Sequence, residues 1–454
     1  MKTKSLLLIL WMLCGITALA QSRKQVYDLE LGSPTLTPAA QETIVRSTVR
    51  VQEAKWLRLQ VGEFNLGKES FLLLTSLQDQ GRQRLTAQTL AEWGRSSAYF
   101  NGEAVNIELH IAAGETGVFV RFTEVLVGEP RQGNQQFTLC GADNRVASTD
   151  ARVGRINVAN TRGAVSNPSC TAWLVSNGAL LTAGHCVDAD PDQGGPQLPD
   201  GIIDAGFSSS VVEFNVPATQ NNGNTVFSNP DDQYPIVFAS IRYNFNGNGT
   251  GLGRDWAVFG CSANPNTGLT PHQAQGSFFR MTNDAPSAGA TLRVTGFGTD
   301  TGAENQTLQT ATGGFNGESS SNADFWLRYA VDTTGGNSGS PIIWEANGLA
   351  IGIHTNGGCT NSGGENAGTS FEHDPLENAL QNFFGGNTVY VDNGHPTATR
   401  NGTIFRPVRT VTTGVIQVGN GGTVSIVAGT YGDRLTISKP LTLRAPAGTV
   451  VIGR

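Results

Sequence analysis

Charge is scarce in this chain. Asp, Glu, Lys and Arg make up only 15% of its 454 residues, and the 30 Lys and Arg form no basic run. With a formal net charge of -7 and a pI near 5.4, the balance argues against a nucleic-acid partner, which needs a concentrated positive face. Long apolar runs are missing after the first twenty residues, so no later segment reads as a membrane span. Histidine is rare, at six in all, so chemistry that needs an imidazole has few places to reside. Disorder is nonetheless a poor description. Hydrophobic residues reach 38% and glycines number 57, the balance of a soluble, loop-rich, β-dominated protein. The length exceeds what one core usually organises, so two or three domains are expected.

The opening "MKTKSLLLILWMLCGITALA" has two lysines, an apolar run, and Ala18-Leu19-Ala20 before Gln21. That is the pattern of a secretory signal peptide with an A-x-A cleavage site over 1–20. The apolar core is short for a membrane anchor, and polar residues follow at once. Leu13 is bulky where lipid attachment at Cys14 would want a small residue. The mature chain is therefore expected to be exported, extracellular or periplasmic, with no membrane association after cleavage. Its five remaining cysteines would meet an oxidising compartment.

Three textures follow. Over 21–137, "KWLRLQV", "SFLLLTSL", "AVNIELHI" and "TGVFVRFTEVLVG" alternate apolar and polar residues with period two, which predicts a β-sandwich, either a pro-region or an accessory domain. His110 lies in such a strand and reads as a surface or satisfied residue. "VGEPRQGNQQ", 127–136, reads as a linker. Over 138–386, short apolar runs such as "AWLVSNGALLTA", "DWAVFG", "TLRVTGFG" and "GLAIGIHT" in a Gly/Asn-rich background suggest an all-β barrel with long loops. "DPLENALQNFFGG" closes this part as an amphipathic helix, with Asp374 as N-cap, Pro375 first, Glu377 completing a capping box and Gly385 ending it. Leu376, Ala379, Leu380, Phe383 and Phe384 share its apolar face. The segment 387–454 has very short strands split by Gly and Pro, resembling the opening coils of a right-handed parallel β-helix.

The chemistry points to "VDTTGGNSGSPII", 331–343. A serine in such a glycine-rich turn becomes a nucleophile only if a base takes its proton, and a carboxylate improves that base. His185 in "TAGHC" and Asp255 in "GRDWAVFG" are the candidate partners of Ser338. In residue type, order and approximate spacing, "TAGHC", "DWAV" and "GNSGSP" resemble the chymotrypsin-like, two-barrel serine proteases. "CGADNRV", "DTTGGNSGSP" and "IGIHTNGG" are more closely similar to bacterial glutamyl endopeptidases of the staphylococcal V8 and bacillary type.

The resemblance covers about 138–386 and implies a secreted serine endopeptidase acting on protein or peptide substrates and requiring no cofactor. His185, Asp255 and Ser338 would be catalytic, and the N–H groups of Gly336 and Ser338 would form the oxyanion hole. Thr333 and a protonated His354 would bind a substrate glutamate, while Thr355, Asn356 and Gly357 would pair with the substrate backbone. Asp332 points the other way, to an Arg or Lys preference. Relatives begin their mature chain near the position of Thr138, so processing is expected between about Gly133 and Arg145. A disulfide between Cys170 and Cys186 shares the family's spacing. Of the other cysteines, Cys140 is paired with Cys261 and Cys359 left free. Asp188, Asp190 and Asp192 alternate as in a calcium loop, but the glycine is misplaced and no terminal glutamate follows, so a solvated acidic loop is preferred to structural calcium. The alternative of a different class is an adhesion or carbohydrate-binding protein with the barrel as scaffold. The expected architecture is all-β: a two-barrel chymotrypsin-like protease domain, an N-terminal β-sandwich, and a short C-terminal parallel-β-helix-like segment.

Overall fold

The computed structural model describes residues 22–35, 37–128, 137–157, 170–188, 201–204, 207, 210–245 and 252–453. The signal-peptide segment and residues 129–136 of the linker lie outside these. Among the described residues no helix is long and apolar enough to cross a membrane.

Alternation builds the first unit. In Ala104–Ile111 the side chains of Val105, Ile107, Leu109 and Ile111 are buried, and Leu72 and Leu74 repeat the pattern in Phe71–Ser76. Each strand thus presents one apolar face. Two four-stranded sheets bring those faces together around one core, in the orders 22–32, 119–128, 56–65, 100–101 and 43–50, 104–111, 71–76, 82–85. His110 stacks on Phe71 and lies between Glu42 and Glu108, a satisfied surface residue.

Two further sheets form the two-barrel body. A curled half-barrel runs in the order 233–235, 211–213, 153–157, 170–174, 180–182, 256–259, 242–244. The second barrel closes on itself through six strands: 308–321, 291–297, 341–344, 349–356, 366–370 and 324–330, the last pairing back to the first. Trp173 and Trp256 of one barrel pack with Phe297, Ile343 and Ile353 of the other, so the barrels share a core and their junction is rigid.

The helix Asp374–Gln381 packs Leu376 and Leu380 into that shared core. Its N-cap is His373, one residue before the expected Asp374, with no side-chain capping bond, and its C-cap is Asn382 rather than a residue next to Gly385. Acidic Asp374 and Glu377 occupy the first turn, where they favour the helix dipole without serving as a box. Beyond it, strands 388–391, 423–426 and 442–444 stack in parallel, as do 429–431 and 450–452. This tail is fixed to the barrels by a two-pronged Arg280–Asp392 ion pair and by Tyr390, Ile404 and Phe405 in the shared core.

Candidate active site

The strand Leu180–Thr182 leads into a single turn, Gly184–Cys186, that carries His185. A disulfide from Cys186 to Cys170 ties this turn to the neighbouring strand. Asp255 precedes the buried strand Trp256–Phe259 and is itself buried. Its two oxygens grip one residue: Oδ2 lies 2.6 Å from His185 Nδ1, and Oδ1 accepts the His185 backbone N–H at 2.9 Å. Thr369 holds Asp255 from the second barrel, its hydroxyl donating to the Asp255 carbonyl at 2.9 Å. Burial alone would lower the His185 pKa, but the charge and hydrogen bond of Asp255 outweigh it and raise the pKa above its ordinary value. The carboxylate therefore keeps the proton on Nδ1 and leaves Nε2 as the basic atom.

The Ser338 loop is clamped against the same barrel. Thr171 donates its N–H to the Ser338 carbonyl at 2.8 Å and its hydroxyl to the Gly336 carbonyl at 3.0 Å. Trp173 Nε1 donates to the Gly339 carbonyl at 3.0 Å. Gly339 has φ +91°, and a Cβ there would lie 2.2 Å from the Thr171 carbonyl and 3.0 Å from the Ala183 nitrogen, two residues before His185. Only glycine permits that approach, which sets the serine beside the histidine turn. Asn337 stabilises the loop internally, its Oδ1 accepting from Thr334 N at 2.9 Å.

Among the described residues, the amides of Gly336 and Ser338, the Ser338 hydroxyl and His185 Nε2 make no hydrogen bond to protein. Two free N–H groups on either side of Asn337, an unbonded hydroxyl and an imidazole oriented by a carboxylate form a set able to attack a carbonyl and hold the resulting oxyanion.

Residues 170–353 match a protein family described as "Trypsin-like peptidase domain". The chain carries a trypsin-like peptidase domain. Three solved structures are similar at low identity. A Glu endopeptidase in complex with MPD is 18% identical, with 51% of this chain and 93% of that one covered and a TM-score of 0.35. The thermostable serine protease AL20 from an extremophilic microorganism is 18% identical, covering 49% and 93%, at 0.36. The protease Anisep from Arthrobacter nicotinovorans is 18% identical, covering 50% and 93%, at 0.37. Likeness at this level carries nothing about substrate. No curated protein matches the chain. The peptidase domain is that of a serine endopeptidase.

The specificity side of the peptidase domain departs from the sequence reading in four places. Asp332 is not open to a basic substrate: Oδ1 accepts Cys140 N–H at 2.6 Å and Oδ2 accepts Asn144 N–H at 2.8 Å, so the carboxylate is consumed in holding the domain's first segment. Thr333 is fully buried, and its hydroxyl lies 2.7 Å from that of Thr138 and receives Asn366 Nδ2 at 3.0 Å. His354 is buried, and burial, with the nearby His185 charge, lowers its pKa to about 3, which disfavours the protonated form that the resemblance implies. Its Nδ1 faces the hydroxyl of Tyr329 at 2.5 Å, a partner that no sequence motif announced. Cys140 pairs with Cys359, not with Cys261, which is the free thiol among the described cysteines. Cys359 lies on the turn after the Leu349–Asn356 strand, beside the segment that Asp332 holds, whereas Cys261 follows the Asp255 strand in the other barrel.

Thr355 is buried, Asn356 half-buried and Gly357 exposed at the end of Leu349–Asn356. On the side of the partner strand 341–344 the pairing runs past Ile353 to His354, whose N–H donates to the Ser340 carbonyl and whose carbonyl accepts the Gly339 N–H, both at 2.8 Å. Of the alternating acids, Asp190 and Asp192 lie outside the described residues. Asp188 is buried, its Oδ2 accepting from Gly201 N at 3.1 Å and Tyr243 Oη at 3.0 Å.

Proposed function

We propose that the domain is a secreted endopeptidase that cleaves peptide bonds after glutamate, with His185, Asp255 and Ser338 as the catalytic residues. The observation that carries the mechanism is the double grip of Asp255 on His185 beside a loop with two unbonded amides. In the reaction, Ser338 Oγ attacks the substrate carbonyl while its proton passes to His185 Nε2. The Gly336 and Ser338 amides donate hydrogen bonds to the oxyanion, and the imidazolium, stabilised by Asp255, returns the proton to the departing amine. Water then repeats the sequence on the acyl-enzyme. The Ser338–His185 hydrogen bond that this requires is open here and tightens when substrate excludes water.

For the subsite, the reading is supported by elimination and by chemistry. Asp332 is committed to two backbone amides, so the Arg/Lys alternative loses its acid. A neutral His354 whose Nδ1 accepts from Tyr329 bears its proton on Nε2, a neutral donor for a glutamate carboxylate. Thr333 contributes by fixing Thr138 at Gly357, where a Cβ would meet Thr138 Cγ2 at 2.2 Å. Thr355, Asn356 and Gly357 supply the edge for the substrate backbone. The test is a peptide library read by mass spectrometry with wild type, Ser338→Ala and His354→Ala. Ser338→Ala abolishes cleavage, and His354→Ala lowers kcat/KM for glutamate far more than for small apolar residues. Wild-type cleavage mainly after Arg or Lys would overturn the glutamyl reading and leave the endopeptidase standing.

A further inference from the structure

The interface between the sandwich and the first barrel is built in an unusual way. Three side-chain carboxamides each read both polar groups of the opposite backbone. Gln233 accepts from Tyr99 N at 2.9 Å and donates to Tyr99 O at 3.0 Å, while also donating to Ser228 O in its own domain. In the reverse direction, Asn101 of the sandwich accepts from Phe227 N and donates to Phe227 O, both at 2.9 Å. Asn266 accepts from Arg84 N at 2.8 Å and donates to Arg82 O at 2.6 Å. Gln233 and Asn101 are buried, so pulling the domains apart would strand donors and acceptors on both sides until water reached them.

Between the two buried clamps sits Phe227. Its ring stacks on Tyr99 at 4.3 Å and meets Trp56 edge-on at 5.1 Å, and it is buried within the sandwich core together with Val211. A barrel residue thus completes the core of the neighbouring domain. Separation would expose three aromatic rings at once, the kind of central anchor that dominates interface energetics.

The location matters as much as the fit. Strands 233–235 and 211–213, which flank the docking site, are first and second in their sheet, whereas 180–182, which leads to His185, is fifth. The sandwich therefore docks on strands other than the one that leads to His185.

We propose that the N-terminal sandwich is a constitutive partner of the peptidase domain, one that stays bound after the connecting chain is cut, and not a pro-region that leaves on activation. The occupant of this barrel face is residues 22–128 of the same chain, and the covalent link at 129–136 is dispensable for holding it.

The experiment nicks the full-length protein at a site-specific protease sequence placed within 129–136, then measures size exclusion and the dissociation constant of the two fragments. The fragments co-elute as one species at low micromolar concentration and separate only in denaturant. Asn266→Ala, which removes an exposed clamp and leaves both cores intact, weakens the nicked complex by roughly tenfold, and Gln233→Ala weakens it further. Fragments that separate under native conditions, or a nicked Asn266→Ala and Gln233→Ala pair that holds as tightly as wild type, would overturn the proposal. Labelling of Ser338 with a fluorophosphonate reports separately on the endopeptidase reading.

Discussion

The hydroxyl of Tyr329 lies 2.5 Å from Nδ1 of His354, and both side chains are buried. The same hydroxyl is 3.2 Å from the Ala367 carbonyl, and a phenol has a single proton to give. Donated to His354, that proton fixes the tautomer that presents N–H at Nε2; donated to Ala367, it leaves Nε2 bare and repellent to a carboxylate. On the proposed glutamyl reading, Tyr329 is thus a positioning residue for the subsite. Tyr329→Phe is expected to lower kcat/KM for glutamate substrates by about tenfold, with peptides carrying small apolar residues nearly unaffected. Equal loss on both substrate classes would assign Tyr329 a purely structural part.

Asp332 supplies the converse test. Two backbone amides, from Cys140 and Asn144, end on its carboxylate. Asp332→Ala leaves both amides unsatisfied in a buried place and is expected to cost about 2–4 kcal/mol of stability, seen as a lowered urea midpoint. The ranking of substrates should not change in favour of or against Arg and Lys. A variant of unchanged stability with an altered response to basic substrates would return Asp332 to the pocket.

The pH profile follows from His185. It must be neutral to accept the serine proton, and Asp255 raises its pKa above the ordinary value despite burial. Activity therefore falls as pH drops through a limb lying higher than that of a free imidazole. Asp255→Asn removes the charge that raises this pKa and the acceptor that fixes the tautomer, and is expected to reduce kcat by about three to four orders of magnitude. His354, with its pKa lowered to about 3, adds no loss around neutral pH. An acid limb below the ordinary histidine range in wild type would contradict the assignment of His185.

Processing is constrained by the segment 138–145. Thr138 bonds Thr333, Cys140 is bridged to Cys359, the amides of Cys140 and Asn144 end on Asp332, and Arg145 donates to Thr334 while pairing with Asp300. These contacts together hold the loop before Ser338, so cutting between them would release it. The expected window of Gly133 to Arg145 narrows to its part before Phe137. Amino-terminal sequencing of secreted active enzyme should return a residue no later than Phe137. A mature chain beginning after Cys140 would refute the role given to this segment.

The sequence alone determined those features that are local or carried by short motifs. Period-two alternation announced the sandwich strands because a pleated strand has no other way to face one core. "TAGHC" and "GNSGSP" each specify a backbone turn as well as a side chain, "DWAV" sets an acid at the start of a buried strand, and His185 and Asp255 do lie in contact. The spacing of Cys170 and Cys186 spans adjacent strands, and they are bridged. Helix 374–381 was legible in its apolar face, though its cap was misplaced by one residue, since both His373 and Asp374 precede Pro375 and composition cannot choose between them.

Tertiary structure decided everything that depends on which distant groups become neighbours. Asp332 reads in sequence as a pocket acid, but its partners stand at positions 140 and 144 and reach it only when the first segment folds back across the second barrel. That same fold-back brings Cys140 to Cys359 and leaves Cys261 free, a choice that cysteine spacing does not encode. Tyr329 meets His354 because two strands of a closed barrel turn those side chains inward at one level, and Phe227 enters the sandwich because two separately patterned cores share a wall. A motif fixes the geometry of a few consecutive residues. Charge compensation, cysteine pairing and domain docking are settled by close packing in three dimensions, where each buried polar group must find a partner wherever the chain supplies one.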